Sequence, residues 1–118
     1  MKRLILLTAL CLILPAVPAA PQDYEDYFDH LRNLSTQGVD YLDQAIAASN
    51  AGDSARACQL LVTAGGKYTV GKLEAIDDLD DMYGHASDED ISAMKDALKL
   101  FQDGEAMIAE LAAGCPAS

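Results

Sequence analysis

Apolar side chains in this chain recur at spacings of three and four along three long stretches, and no stretch reads as a strand. The backbone is therefore constrained to bury helical faces against one another. The first stretch runs from about Asp23 to Asn50, with Tyr24, Tyr27, Phe28, Leu31, Leu34, Gly38, Leu42 and Ala45 on one face. Asp26, Asp29, Asn33, Asp40 and Asp43 occupy the other. Asn50-Ala51-Gly52-Asp53 closes this helix and restarts the chain. Gly52 suits the left-handed position after a helix, and Asp53 can accept free N–H groups of the next one.

The second stretch begins near Ser54 and places Ala57, Cys58, Leu61, Ala64 and Tyr68 together. Gly65, Gly66 and Gly71 interrupt it, each costing about 1 kcal/mol relative to Ala inside a helix, so a kink or short break is expected there. Beyond that break the apolar face resumes as Leu73, Ile76, Leu79 and Tyr83, rotated from the earlier stripe. Tyr83-Gly84-His85-Ala86 ends the segment, and Ser87 or Asp88 can cap a third helix reaching about Ala113. That helix carries two adjacent stripes, one with Ile91, Met94, Leu98, Phe101 and Ile108, the other with Ala93, Ala97, Leu100, Met107 and Leu111. Two stripes predict two neighbours, as the third member of a bundle requires. Gly114 and Pro116 stop it. The fold class expected is all-α, a small up-down-up three-helix bundle with one disulfide.

The first twenty residues, MKRLILLTALCLILPAVPAA, have a different character. Lys2 and Arg3 form a basic start, Leu4 to Leu14 an apolar core, and Pro15 to Ala20 a small-residue cleavage region. The core is shorter than the roughly 20 apolar residues that cross a bilayer. The pattern predicts a signal peptide over residues 1–19, cut after Ala19, and a single acidic domain over 20–118 exported to a bacterial periplasm or the medium. After processing no stable membrane anchor is expected. The processed chain keeps six of the eight basic side chains against all nineteen acidic ones, a formal charge of −13. Such a balance argues against nucleic acid and anionic lipid as partners and permits cationic partners or divalent cations; the preferred reading is that the charge keeps an exported protein soluble.

Processing also removes Cys11 and leaves Cys58 and Cys115. Folding the second and third helices back about His85 brings them together, because Cys58 lies 27 residues before that turn and Cys115 lies 30 after it. In an oxidising compartment this predicts a structural disulfide. The same exercise reflects Gly38 onto Gly65 and Gly66, and those onto the region of Gly104 and Ala106. The preferred reading is a tight waist; the alternative is a gap that admits a small apolar ligand beside Gly38, Tyr41, Gly65 and Tyr68.

Chemistry-bearing clusters are sparse. Asp77, Asp78, Asp80 and Asp81, with Asp88, Glu89 and Asp90, form a dense acidic region, but its spacing fails an EF-hand loop. Met82 and His85 sit one turn apart, and together with Asp81 and Asp88 they are the candidates for a metal site; a solvated helix end is the preferred reading. His30 has Asp26 one turn away, and Ser35 or Ser49 could be drawn toward it, yet nothing supplies an elbow or oxyanion hole. Neither histidine belongs to a zinc or haem motif. Tyr41, Ala45, Gly52-Asp53, Ala57, Leu61 and Ala64 resemble the turn and packing positions of a single tetratricopeptide hairpin over about 25 residues, without a second copy 34 residues on. The resemblance implies an αα-hairpin turn at Gly52.

The expectation is a non-catalytic binding or interaction module with no cofactor, not an enzyme. Its partner, protein or small molecule, is unspecified, and self-association through Met107 and Leu111 is a candidate. The alternative is a metal- or small-ligand-carrying bundle.

Overall fold

The computed structural model describes residues 24–115, so the export signal read over residues 1–19 lies outside the described residues, as does Pro116. Three helices follow one another: α1 (Glu25–Asn50), α2 (Ser54–Met82) and α3 (Asp88–Ala112). The α1–α2 corner is a Schellman motif. Gly52 turns left-handed at φ +83°, its N–H donates to the Ser49 carbonyl, and the Asp53 N–H donates to the Ala48 carbonyl at 2.8 Å. The Asp53 carboxylate then accepts from the Arg56 N–H at 3.1 Å and starts α2. This is the tight αα turn that the tetratricopeptide-like residues imply.

At the second corner Gly84 takes φ +87°, and the N–H groups of His85 and Ala86 both donate to the Met82 carbonyl. Ser87 is the cap of α3, its hydroxyl accepting from the Asp90 N–H at 3.1 Å. Three acidic residues, Asp88, Glu89 and Asp90, then occupy the positive end of α3, where the helix dipole stabilises them.

α1 packs on α2 and α2 on α3, while α1 and α3 approach each other far less, so α2 is the central helix. Its buried stripe runs straight through Ala57, Leu61, Ala64, Tyr68, Gly71, Ala75, Leu79 and Met82. From α1 this stripe meets Phe28, Leu31, Leu34, Gly38, Leu42 and Ala45. From α3 it meets Met94, Ala97, Leu100, Phe101, Gly104 and Ile108.

Two expectations are corrected here. The glycines do not break α2, which is helical without interruption from Ser54 to Met82. Gly65 and Gly71 lie on or beside the packed face, where a neighbour's side chain occupies the room a Cβ would take: Ile108 against Gly65 and the Phe101 ring against Gly71. Because the helix continues in phase, its core stripe does not rotate. Of the four residues expected to carry the resumed face, only Leu79 is buried; Leu73, Ile76 and Tyr83 are exposed. The two stripes of α3 do not find the two neighbours expected, because α3 packs on α2 and barely on α1; Ala93 and Leu111 of the second stripe are accordingly only partly buried and Met107 half-buried.

Cys58, at the start of α2, and Cys115, just past α3, are joined, with Cα atoms 5.9 Å apart and the two residues 57 positions apart in sequence. The bond closes the α2–α3 hairpin at its open end, as the folding-back argument requires. A loop of this length removes about 4 kcal/mol of unfolded-chain entropy on the loop-closure model. The double variant Cys58→Ser/Cys115→Ser is accordingly expected to lose about 2–4 kcal/mol in a urea titration, and an unchanged midpoint would show that closure does not constrain the chain.

Candidate functional site

Each region singled out in the sequence has a definite place in the bundle. In the glycine layer, Tyr68 is 1% exposed and its ring lies between Gly38 of α1 and Gly104 of α3. A Cβ added at Gly38 would come within 2.6 Å of Tyr68 Cε2, and one at Gly104 within 2.7 Å of Cδ1 and Cε1. The ring also packs at a tilt on Phe101, centroids 5.8 Å apart. The space between Gly38 and Gly104 is therefore filled by the protein's own tyrosine, which makes this layer a waist. Tyr41 packs at its edge, partly buried, and Gly66 faces outward with nothing within 4 Å.

The candidate metal ligands do not converge. Met82 has no exposed surface and belongs to the core, whereas His85 is exposed in the turn. Asp81 accepts a hydrogen bond from the Tyr27 hydroxyl, and Asp88 stands exposed at the N-terminus of α3. Among the described residues no group of three His, Cys, Asp or Glu side chains is placed to hold a metal ion. His30 pairs across the seam with Glu74 of α2 rather than with Asp26, and Ser35 is buried on the core face of α1, away from it.

Charge and burial meet on the two flanks of α2. On the α1 side lie Tyr27–Asp81, His30–Glu74 and the half-buried Asp78. The hydrogen bond to Asp81 pushes the Tyr27 phenol up to about 12. Partial burial, and then the negative charge of Glu74 and Asp77, push the Asp78 carboxyl up to about 6. On the α3 side Glu105 accepts from Thr69 and from Lys72 at 2.8 Å, and these bonds, that of Lys72 foremost, hold it below the usual carboxylate range.

The feature not visible in the sequence reading is the back of α2. Val62 (67% exposed), Val70 (44%), Leu73 (57%), Ile76 (46%) and Tyr83 (51%) leave an apolar strip facing away from the core. Near the C-terminal end of α2 the strip deepens into a groove of about 450 Å³ against α3. Its lining combines the apolar Leu73, Ile76, Leu79 and Leu98 with Asp77, Asp80 and Tyr83. A second, polar hollow of about 560 Å³ shares Asp77, Asp80 and Tyr83, and continues past Asp78 and Asp81 to Tyr27 and His85. The Lys95 ammonium of α3 lies 5.9 Å from the Tyr83 ring centroid. The signal for this strip was present in the apolar residues at 70, 73 and 76, but it reads as core as long as α2 is taken to be broken.

No protein-family model, curated protein or solved structure is significantly similar to the chain.

Two glycines should respond oppositely to the same substitution. Gly66→Ala is expected to stabilise by about 1 kcal/mol, since only helix propensity changes. Gly38→Ala forces a methyl onto a ring that Gly104 confines from the other side, and a net loss of about 2 kcal/mol is expected in chemical denaturation. Asp78 makes a pH prediction. Its folded-state carboxyl titrates above its unfolded one, so the native state binds more protons, and this group's contribution to stability falls as pH rises from about 4 to about 6. Asp78→Asn should leave stability at pH 4 unchanged and raise it at pH 7 by on the order of 1 kcal/mol, a figure reduced for solvent screening of a half-buried group. Equal urea midpoints for the two proteins at pH 7 would contradict it.

Proposed function

We propose that this chain is an exported, non-catalytic interaction module whose binding face is the back of α2 and its seam with α3. The observation that carries this reading is the uncovered apolar strip itself. Fully burying a Leu or Ile side chain is worth about 1.5–3 kcal/mol, so a strip left half-exposed has free energy to gain from a partner. Leu73, Ile76 and Leu98 form a concave seam, which a partner's side chains can enter.

Export is supported by two independent features. The N-terminal residues have the three-part order of a secretory signal, and the Cys58–Cys115 bond suits an oxidising compartment. Among the described residues no helix is long and apolar enough to cross a membrane.

Two measurements test the reading. Sequencing the N-terminus of protein recovered from the exported fraction should begin at Ala20, and an intact Met1 would overturn processing. Immobilised protein should retain a partner from that fraction, and the exposed-face variant Leu73→Ser/Ile76→Ser, with unchanged helicity by circular dichroism, should lose it. Equal retention by both proteins, or by neither, would remove the α2 face from consideration.

A further inference from the structure

Resting on that reading of the α2 face, we propose that the groove receives a basic amphipathic helix from a partner polypeptide. The groove is lined by apolar Leu73, Ile76 and Leu98 together with two acidic side chains, Asp77 and Asp80. Neither aspartate makes an ion pair among the described residues. Both stand near the C-terminal end of α2, where backbone carbonyls already concentrate partial negative charge and no basic residue lies in the last turn. The polar hollow next to them adds Asp78 and Asp81. A ligand that covers the apolar lining and brings Lys or Arg to these aspartates relieves both the exposed apolar surface and the like-charge crowding.

Other occupants fit less well. A second copy of this chain would bring its own aspartates to the same groove, with a net charge of −11 on each full chain. A small polyamine answers the charge but leaves Leu73 and Ile76 uncovered, and an anionic lipid surface is repelled. The walls are two helices with their backbone groups satisfied internally, so there is no strand edge to extend. A groove between helices instead takes side chains at i, i+3, i+4 and i+7 of a third. From Leu73 to Tyr83 the wall is about 15 Å long, enough to engage about ten residues of helix. The acidic lining residues, Asp77 and Asp80, both belong to α2, so the occupant's cations would lie toward α2.

The test uses protein recovered after expression of the full chain and three fluorescent peptides of about 14 residues, long enough to span the groove. One is a Leu/Lys peptide with Leu at i, i+3, i+4 and i+7; one has the same composition in scrambled order; one replaces Lys with Glu. The Leu/Lys peptide should bind saturably at one site, about tenfold more tightly than either control. Asp77→Asn/Asp80→Asn and, separately, Ile76→Ser should each weaken it about tenfold, whereas the equal charge change Asp40→Asn/Asp43→Asn on exposed α1 positions should not. Scrambled peptide binding equally well, or both aspartate pairs mattering equally, would overturn the inference by showing general charge attraction. Binding of the Leu/Glu peptide with matching affinity would overturn the basic partner and leave the α2 face standing. Failure of every peptide to saturate would overturn the groove together with the reading on which it rests.

Discussion

The ring of Tyr68 is held between Gly38 of α1 and Gly104 of α3, and the spacing of the whole bundle follows from that contact. One large aromatic from the central helix needs two partners with no side chain, because a methyl on either would overlap the ring. A second pairing of the same kind sets Phe101 of α3 against Gly71 of α2. Tyr68 and Phe101 then touch each other, so the two contacts form one interlocked layer. Close packing makes such a layer intolerant of added volume. The Tyr68 and Phe101 rings themselves occupy the space beside Gly38, Gly71 and Gly104.

On the surface the polarity of the two seams differs. The α2–α3 seam is held by Thr69 and Lys72 on Glu105, an arrangement in which a cation meets a carboxylate. The α1–α2 seam concentrates carboxylates with a tyrosine and a histidine, and there partial burial, and then negative neighbours, push the Asp78 carboxyl up to about 6. The disulfide at one end of the bundle ties α3 to the start of α2. The acidic end lies opposite, where α2 runs into the turn at Gly84. Stability is thus strengthened at one end while uncompensated charge accumulates at the other, beside the apolar groove.

Much of this was legible in the residues. The two glycine turns, the caps at Asp53 and Ser87, the core face of α1 and the pairing of Cys58 with Cys115 all rest on local rules or on counting residues about a turn. The glycine layer was placed by the same counting, which brought Gly38 and Gly104 to one level. The candidate binding face was not legible. Gly65, Gly66 and Gly71 have the chemistry of helix breakers, and a break assigns Leu73 and Ile76 to the core. Whether a glycine interrupts a helix or accommodates a neighbour depends on what stands opposite it, and local propensity carries no information about that.

The sequence by itself determined three antiparallel helices, their corners, their excess of negative charge and the level at which Cys58 meets Cys115, because each of these depends on composition or on spacing along one chain. Only the tertiary structure decided that α2 continues unbroken, that Tyr68 fills the waist, and that an apolar strip remains outside. Those outcomes depend on which side chain from another helix occupies the space beside each glycine, a contact between residues 30 or more positions apart in sequence.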